Sequence, residues 1–144
     1  MSREDTFWMA LAVCEARRAL SEGEVPVGAV LVKGGRLISK AHNRTGAHPL
    51  HHAEILAMLS VHPDEVEGAT LYVTMEPCVM CSGAAVLARL REIVFAVENP
   101  KFGGTYSLYQ IPLDDRLNHR LRVRRGPLAH EVRRLLREYF GRQV

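Results

Sequence analysis

Thr70-Leu71-Tyr72-Val73-Thr74-Met75-Glu76-Pro77-Cys78-Val79-Met80-Cys81 reads as a strand that turns into a helix. Thr70–Thr74 is β-branched, aromatic and apolar, the composition of a half-buried or buried strand. Pro77 suits the corner that follows, because its missing N–H costs nothing in the first turn of a helix. A helix from about Cys78 to about Arg89 places the thiols of Cys78 and Cys81, three positions apart, on one face of its first turn. The partial positive charge and free N–H groups of a helix N-terminus favour thiolates, the form that binds metal.

Upstream, His52-Ala53-Glu54 opens a second apolar-periodic stretch, Ile55, Leu56, Met58 and Leu59. Zinc takes four protein ligands in closed structural sites, whereas catalytic sites keep one position open for water. His52, Cys78 and Cys81 supply three ligands, and Glu54 is a carboxylate not needed as a fourth. Two helix N-termini converging on one ion would set Glu54 beside the water, an arrangement for attack by zinc-bound hydroxide. A lone CxxC is often a redox pair, but a thioredoxin-like motif leaves His-x-Glu unexplained. A structural zinc ribbon needs a second CxxC, and the one other cysteine is Cys14. Cys14 shares helical spacing with Phe7, Ala10 and Leu11 and is expected in the core. His42, His48, His51 and His62 are expected in polar loops rather than as ligands. His51 competes with His52, but only His52 lies two residues before Glu54.

Outward from these motifs the chain alternates strands and helices. Ser2-x-x-Asp5 resembles a capping box and opens a helix to about Leu20, which Gly23 breaks. Val27–Val32 and Leu37–Ser39 read as strands joined by a Gly34-Gly35 hairpin turn. A polar loop, Asn43–Leu50, leads to the His52 helix. After the cysteine helix come a strand at Ile93–Val97 and a Gly103-Gly104 loop. That loop lacks any phosphate-binding fingerprint and reads as a flexible turn. Leu121–Val123 is a short strand, and Pro127 sits in the first turn of a final helix with Leu128, Val132, Leu135, Leu136 and Tyr139 on its inner side. Such alternation implies an α/β sheet covered by helices.

A chain of 144 residues, 47% hydrophobic and 24% charged, is expected to form a single soluble domain over 1–144. No apolar run approaches the ~18 residues of a membrane span, and no signal-peptide layout opens the sequence. Three cysteines, two of them expected as metal thiolates, point to a reducing cytoplasm. Charge is unevenly spread. Residues 116–144 carry nine arginines against two glutamates, although the whole chain carries a formal charge of only +3. Arg116, Arg120, Arg122, Arg124, Arg125, Arg133, Arg134, Arg137 and Arg142 form a basic C-terminal segment, suited to phosphates through the bidentate guanidinium fork. A solvated helix face with some dimer contacts is the plainer alternative.

His-x-Glu with Pro-Cys-x-x-Cys resembles the signature of the zinc-dependent deaminases. Within that superfamily the chain most resembles the bacterial tRNA adenosine deaminases. The matching pieces are Val25–Val32, His42-Asn43-Arg44, His52–Ile55, Thr70–Cys81 and Leu117-Asn118-His119-Arg120, spread from about residue 5 to about 140. The resemblance implies a cytidine-deaminase-like fold, a three-layer α/β/α sandwich with a five-stranded mixed sheet. It implies one zinc ion per subunit on His52, Cys78 and Cys81, and a homodimer with active sites near the interface. Glu54 would carry the water proton to the adenine ring nitrogen and, once hydroxide has added to C6, return a proton to the amino group, which departs as ammonia to give inosine. Asn43 would hydrogen-bond the purine, helped by the Ala53 N–H and the carbonyl near Glu76. The target would be the first anticodon base of an arginine tRNA, in a loop whose bases are already unstacked.

The sequence departs from that family in three places. The stretch between His52 and Cys78 is shortened, Asn99 and Tyr106 replace a usual Asp and a small residue, and Leu108–Asp115 differs. Two rival readings remain: a deaminase of free guanine, cytosine or cytidine, and a zinc-stabilised RNA-binding module in which Glu54 would have no purpose.

Overall fold

The computed structural model describes residues 2–141, so Arg142 of the basic segment lies outside the described residues. One five-stranded sheet runs through it in the order β2-β1-β3-β4-β5, with β1 Gly28–Lys33, β2 Arg36–His42, β3 Thr70–Met75, β4 Glu92–Val97 and β5 Arg122–Arg125. β1 is antiparallel to β2 and β3, while β3, β4 and β5 are parallel, which makes the sheet mixed. Side chains alternate across it with period two. Leu31, Leu71, Val73, Ile93 and Phe95 face α2 Ala53–Leu59 and α4 Val79–Leu87. Val30, Val32, Tyr72 and Val94 face α1 Arg3–Ser21 and α5 Ala129–Gly141. Both faces are covered, giving the three-layer α/β/α sandwich.

The β1–β2 hairpin turns at Gly34 and Gly35, both at positive φ (59° and 73°), the geometry that glycine adopts without strain. β2 extends to His42, well past Ser39, because its pairing with β1 continues to Gly28. α4 stops at Leu87 rather than Arg89, and Arg89 itself sits at φ 58°. Pro127 precedes α5 by two residues instead of occupying its first turn. The segment shortened between His52 and Cys78 forms a single turn, α3 Pro63–Val66.

Cys14 is exposed, contrary to the core placement its spacing invited. The inner stripe of α1 is Met9, Ala12, Val13, Ala16 and Ala19. Small residues are required there: a Cβ on Gly28 would stand 2.5 Å from the Ala16 nitrogen, so α1 and β1 touch backbone to backbone. Phe7 and Cys14 are left on the outside.

Ser2 caps α1 by accepting from the Asp5 N–H at 3.0 Å. The Asp5 side chain, however, does not return the capping bond. It accepts from the Tyr72 hydroxyl at 2.7 Å and from the Arg124 guanidinium at 2.9 and 3.1 Å, and Arg124 also donates to Glu92 at 2.7 Å. One buried carboxylate thus ties α1 to β3 and β5. The Arg124 hydrogen bonds hold the Asp5 carboxyl down at about 2, against burial, which pushes the other way. A depressed folded value stabilises the protein above the ordinary 3.8 and is lost as pH falls through about 2. Asp5→Asn is therefore expected to cost about 2 kcal/mol at pH 7, with the gap to wild type closing between pH 4 and 2 in urea titrations. A constant gap across that range would remove the ionic account.

The arginines of the basic segment divide in the same way. Arg116 pairs with Asp114, Arg122 and Arg124 with Glu92, and Arg125 with Glu98. These charges staple β5 and the loop before it, so they do not form part of a free cationic surface. Arg133, Arg134 and Arg137 are exposed on α5, whose Val132 and Leu135 face the core.

Candidate metal centre

His52 is the N-cap of α2 and Cys78 the N-cap of α4, both in extended backbone. The sheet aims both helix N-termini at one point. His52 Nδ1 lies 3.5 Å from Cys78 Sγ and 3.6 Å from Cys81 Sγ, and all three ligand atoms fall within 4.8 Å of one another. Bonds of about 2.0 Å to nitrogen and 2.3 Å to sulfur at a tetrahedral angle put N and S about 3.5 Å apart. The donor set and its spacing fit zinc.

The three groups share their charge. Hydrogen bonding from Cys81 and from His52 pulls the Cys78 thiol down to about 4 in spite of burial. The same Cys78–Cys81 bond, with burial, pushes Cys81 up, and the bond to Cys78 raises His52. Cys78 is the ready thiolate, and metal binding displaces the remaining protons.

Glu54 follows one residue inside α2 and is 3% exposed. Its Oε1 is a buried polar atom with no hydrogen-bond partner among the described residues. Burial, the largest influence, pushes its carboxyl up to about 7. An orphaned carboxylate oxygen in the interior costs stability unless something else uses it. It faces a cavity of about 220 Å³ shared with His52, Cys78, Asn43, Val27 and Asn99. That is smaller than the ~300–1,000 Å³ typical of drug-sized ligand sites, so only a small group can be inserted.

Asn43 is buried where β2 ends, its N–H donated to the Val27 carbonyl. Its Oδ1 accepts the Ala53 N–H at 2.9 Å. The two residues expected to meet the base, Asn43 and Ala53, are thus hydrogen-bonded to each other in this structure. Glu24 fixes the following loop, accepting from Thr45 N–H and Oγ1 at 2.9 and 2.8 Å and from Gly46 N–H at 2.9 Å. His42 is no ligand, but neither is it a loop residue. It is buried at the end of β2, with Glu15 at 3.1 Å on Nδ1 and Glu22 at 2.9 Å on Nε2.

Glu76 was missed as a side chain by sequence reasoning, although its place directly before Pro77-Cys78 offered a signal. It is 2% exposed. Its carboxylate accepts from the N–H groups of Asn99, Tyr106 and Ser107 at 3.0, 2.8 and 2.7 Å, and from the Ser107 hydroxyl. The loop after β4 is thereby knotted to the turn that carries Cys78. Gly103 and Gly104 are buried in that knot, which overturns the flexible-turn reading. A Cβ on Gly103 would overlap the Glu76 carboxylate, and one on Gly104 would stand 2.6 Å from Val79 Cα. Tyr106 lies beside Arg125 and Phe95, its ring 5.9 Å from the guanidinium carbon. Gly103→Ala is expected to cost about 1–3 kcal/mol by overpacking. Unchanged denaturant midpoints would show that the loop yields freely.

A nitrogen and two sulfurs at tetrahedral spacing beside a buried carboxylate with one unpartnered oxygen, all on helix N-termini under a mixed sheet, define the zinc-dependent deaminase class. Residues 2–97 match the family model of the cytidine and deoxycytidylate deaminase zinc-binding region, and the chain belongs to that family. Its relatives there include tRNA-specific adenosine deaminases. That of Streptococcus pyogenes serotype M18 is 42% identical over 143 residues, covering 95% of this chain and 90% of the relative. That of Aquifex aeolicus is 43% identical over 140 residues, covering 93% and 92%. A solved structure from a study of A-to-I editing by tRNA:A34 deaminases superposes with a TM-score of 0.83 at 37% identity, covering 91% of this chain and 99% of that one.

Proposed function

We propose that this chain, as one domain over 1–144 with a basic C-terminal helix, hydrolyses adenosine to inosine at the first anticodon position of a tRNA, an arginine tRNA by family resemblance. The buried, unpartnered Glu54 oxygen beside the His52, Cys78 and Cys81 donor set carries this reading. Similarity to tRNA-specific adenosine deaminases supports the choice of substrate.

His52, Cys78 and Cys81 hold the zinc ion. Bound there, zinc lowers the pKa of water from about 15.7 towards 7, so that a nucleophile is available at neutral pH. Glu54 accepts the proton that water gives up and passes it to the ring nitrogen beside C6. As the water oxygen adds to C6, Glu54 takes up that oxygen's remaining proton and delivers it to the amino group; the C6–N bond breaks, ammonia leaves and the C6 carbonyl of inosine remains. A carboxyl raised to about 7 by burial is poised to hold and release a proton near neutrality. Asn43, held by Ala53, orients the base.

The test is A-to-inosine conversion in an arginine tRNA transcript by zinc-loaded protein, with adenosine, cytidine and guanine alongside. Conversion of tRNA alone supports the reading. Ammonia release only from a free base or nucleoside transfers the function to salvage.

The α5 arginines are the proposed RNA surface. Charge-neutralising Arg133, Arg134 and Arg137 together is expected to weaken tRNA binding and flatten its logarithmic salt dependence by up to about three units. Equal affinity would rule α5 out. The protein is also proposed to be cytoplasmic; among the described residues no helix is long and apolar enough to cross a membrane. A homodimer is proposed through the groove of about 650 Å³ lined by Ile55, Leu59, Val61 and Leu87, where Leu59 and Leu87 are 76% and 86% exposed. Sedimentation equilibrium decides that point.

A further inference from the structure

We infer that a second groove, beside the metal centre and walled by Phe102 and Tyr109, is a stacking subsite for the nucleobase next to the one deaminated. The inference rests on the reading of the substrate as RNA. Phe102, Leu108 and Tyr109 are 62%, 53% and 58% exposed, and with Val79, Lys101 and Ile111 they line a groove of about 360 Å³. Three large apolar side chains held in water on one short loop are costly unless something covers them.

Their backbone is fixed in advance. Leu108 and Tyr109 both donate to the Gly103 carbonyl, at 3.1 and 3.2 Å, and Ile111 donates to the Gly104 carbonyl at 2.9 Å. Gly103 in turn is packed against the Glu76 carboxylate. The rings are thus presented on a scaffold anchored to the Cys78 turn, and binding does not have to order the loop.

The groove shares no lining residue with the proposed catalytic cavity but adjoins it through neighbouring residues. Cys78 lines the cavity and Val79 the groove; Asn99 lines the cavity and its Oδ1 accepts the Phe102 N–H at 3.2 Å. A strand that inserts one base beside Glu54 would bring its neighbour close to this wall. Aromatic faces stack on any base, and among the described residues Lys101 is the only charged side chain lining the groove, with no carboxylate to oppose a phosphate. A second copy of the chain fits less well: a stable interface buries at least ~1,200 Å², and the larger apolar groove by Leu59 and Leu87 serves that end better.

The experiment uses an anticodon stem-loop RNA in which the nucleotide on either side of the target is made abasic, one at a time. Wild-type kcat/KM is expected to fall about 10-fold at one of the two neighbours, the size of one lost stacking contact. Phe102→Ala/Tyr109→Ala is expected to lose a similar factor on intact RNA and to suffer no further loss on the abasic one. Phe102→Tyr and Tyr109→Phe, which keep the rings, should retain the abasic penalty. The same penalty in wild type and in the double alanine variant overturns the subsite. So does conversion of a dimer to monomer by those substitutions, which would assign the groove to a second copy. If wild-type protein makes no inosine in the intact stem-loop yet deaminates a free base, the RNA reading itself has failed and the subsite falls with it.

Discussion

Glu54→Ala is expected to retain zinc and to lose deamination by at least about a thousandfold, the upper range for a positioned acid–base group. The geometry separates the two properties. The candidate ligand atoms are His52 Nδ1 and the sulfurs of Cys78 and Cys81, and none belongs to Glu54. Removing the carboxylate deletes a buried oxygen that lacks a partner among the described residues, so the fold loses no hydrogen bond from that atom. A variant as stable as wild type, or more so, follows from the same fact. Zinc content by atomic emission, thermal midpoint and single-turnover rate give three independent readings. Unchanged turnover would falsify the role of Glu54, whereas loss of zinc along with activity would make it a ligand.

Cys81→Ala is expected to act in the opposite order, with zinc lost first and activity as a consequence. Cys81 is fully buried, and its N–H donates to Cys78 Sγ at 3.5 Å. Its absence leaves two protein ligands, too few for a closed or a catalytic zinc site. Content should fall from about one ion per chain to near zero after dialysis. A ligand present at 100–1,000 times its dissociation constant stabilises by about 3–4 kcal/mol, so the thermal midpoint should drop by roughly 10 °C. Chelation of the wild-type protein should reproduce that drop, and should produce no further drop in the variant. Full zinc occupancy in Cys81→Ala would require a different ligand set.

Local pattern made much of the fold legible. Continuous apolar runs at Val27–Val32, Thr70–Thr74 and Ile93–Val97 fall on β1, β3 and β4, the three strands packed on both faces. The motif spacing singled out His52, Cys78 and Cys81, and the structure brings those side chains together. The phase of α1 was not legible. In an alanine-rich helix two stripes are apolar, and only the close approach to Gly28 selects the one made of small residues. The Glu76 knot was equally hidden, since its partners lie 23 to 31 residues away and nothing periodic marks them. The arginine count misled for a related reason. Net charge says nothing of whether Asp5, Glu92 and Glu98 will be folded against those guanidinium groups.

The two helix starts that meet at the metal centre lie on either side of β3 in the chain, with His52 before the strand and Cys78 and Cys81 after it. β3 is hydrogen-bonded to β1 on one edge and to β4 on the other. A slip of β3 by one residue would turn Leu71 and Val73 out of their core and carry the thiols to the wrong side of the sheet. An ion bound there would therefore report strand register, because only chains that have threaded the central strand correctly bring all three donors together. In a refolding mixture, metal retained after gel filtration would count the molecules in register, a measure of folding fidelity that needs no substrate.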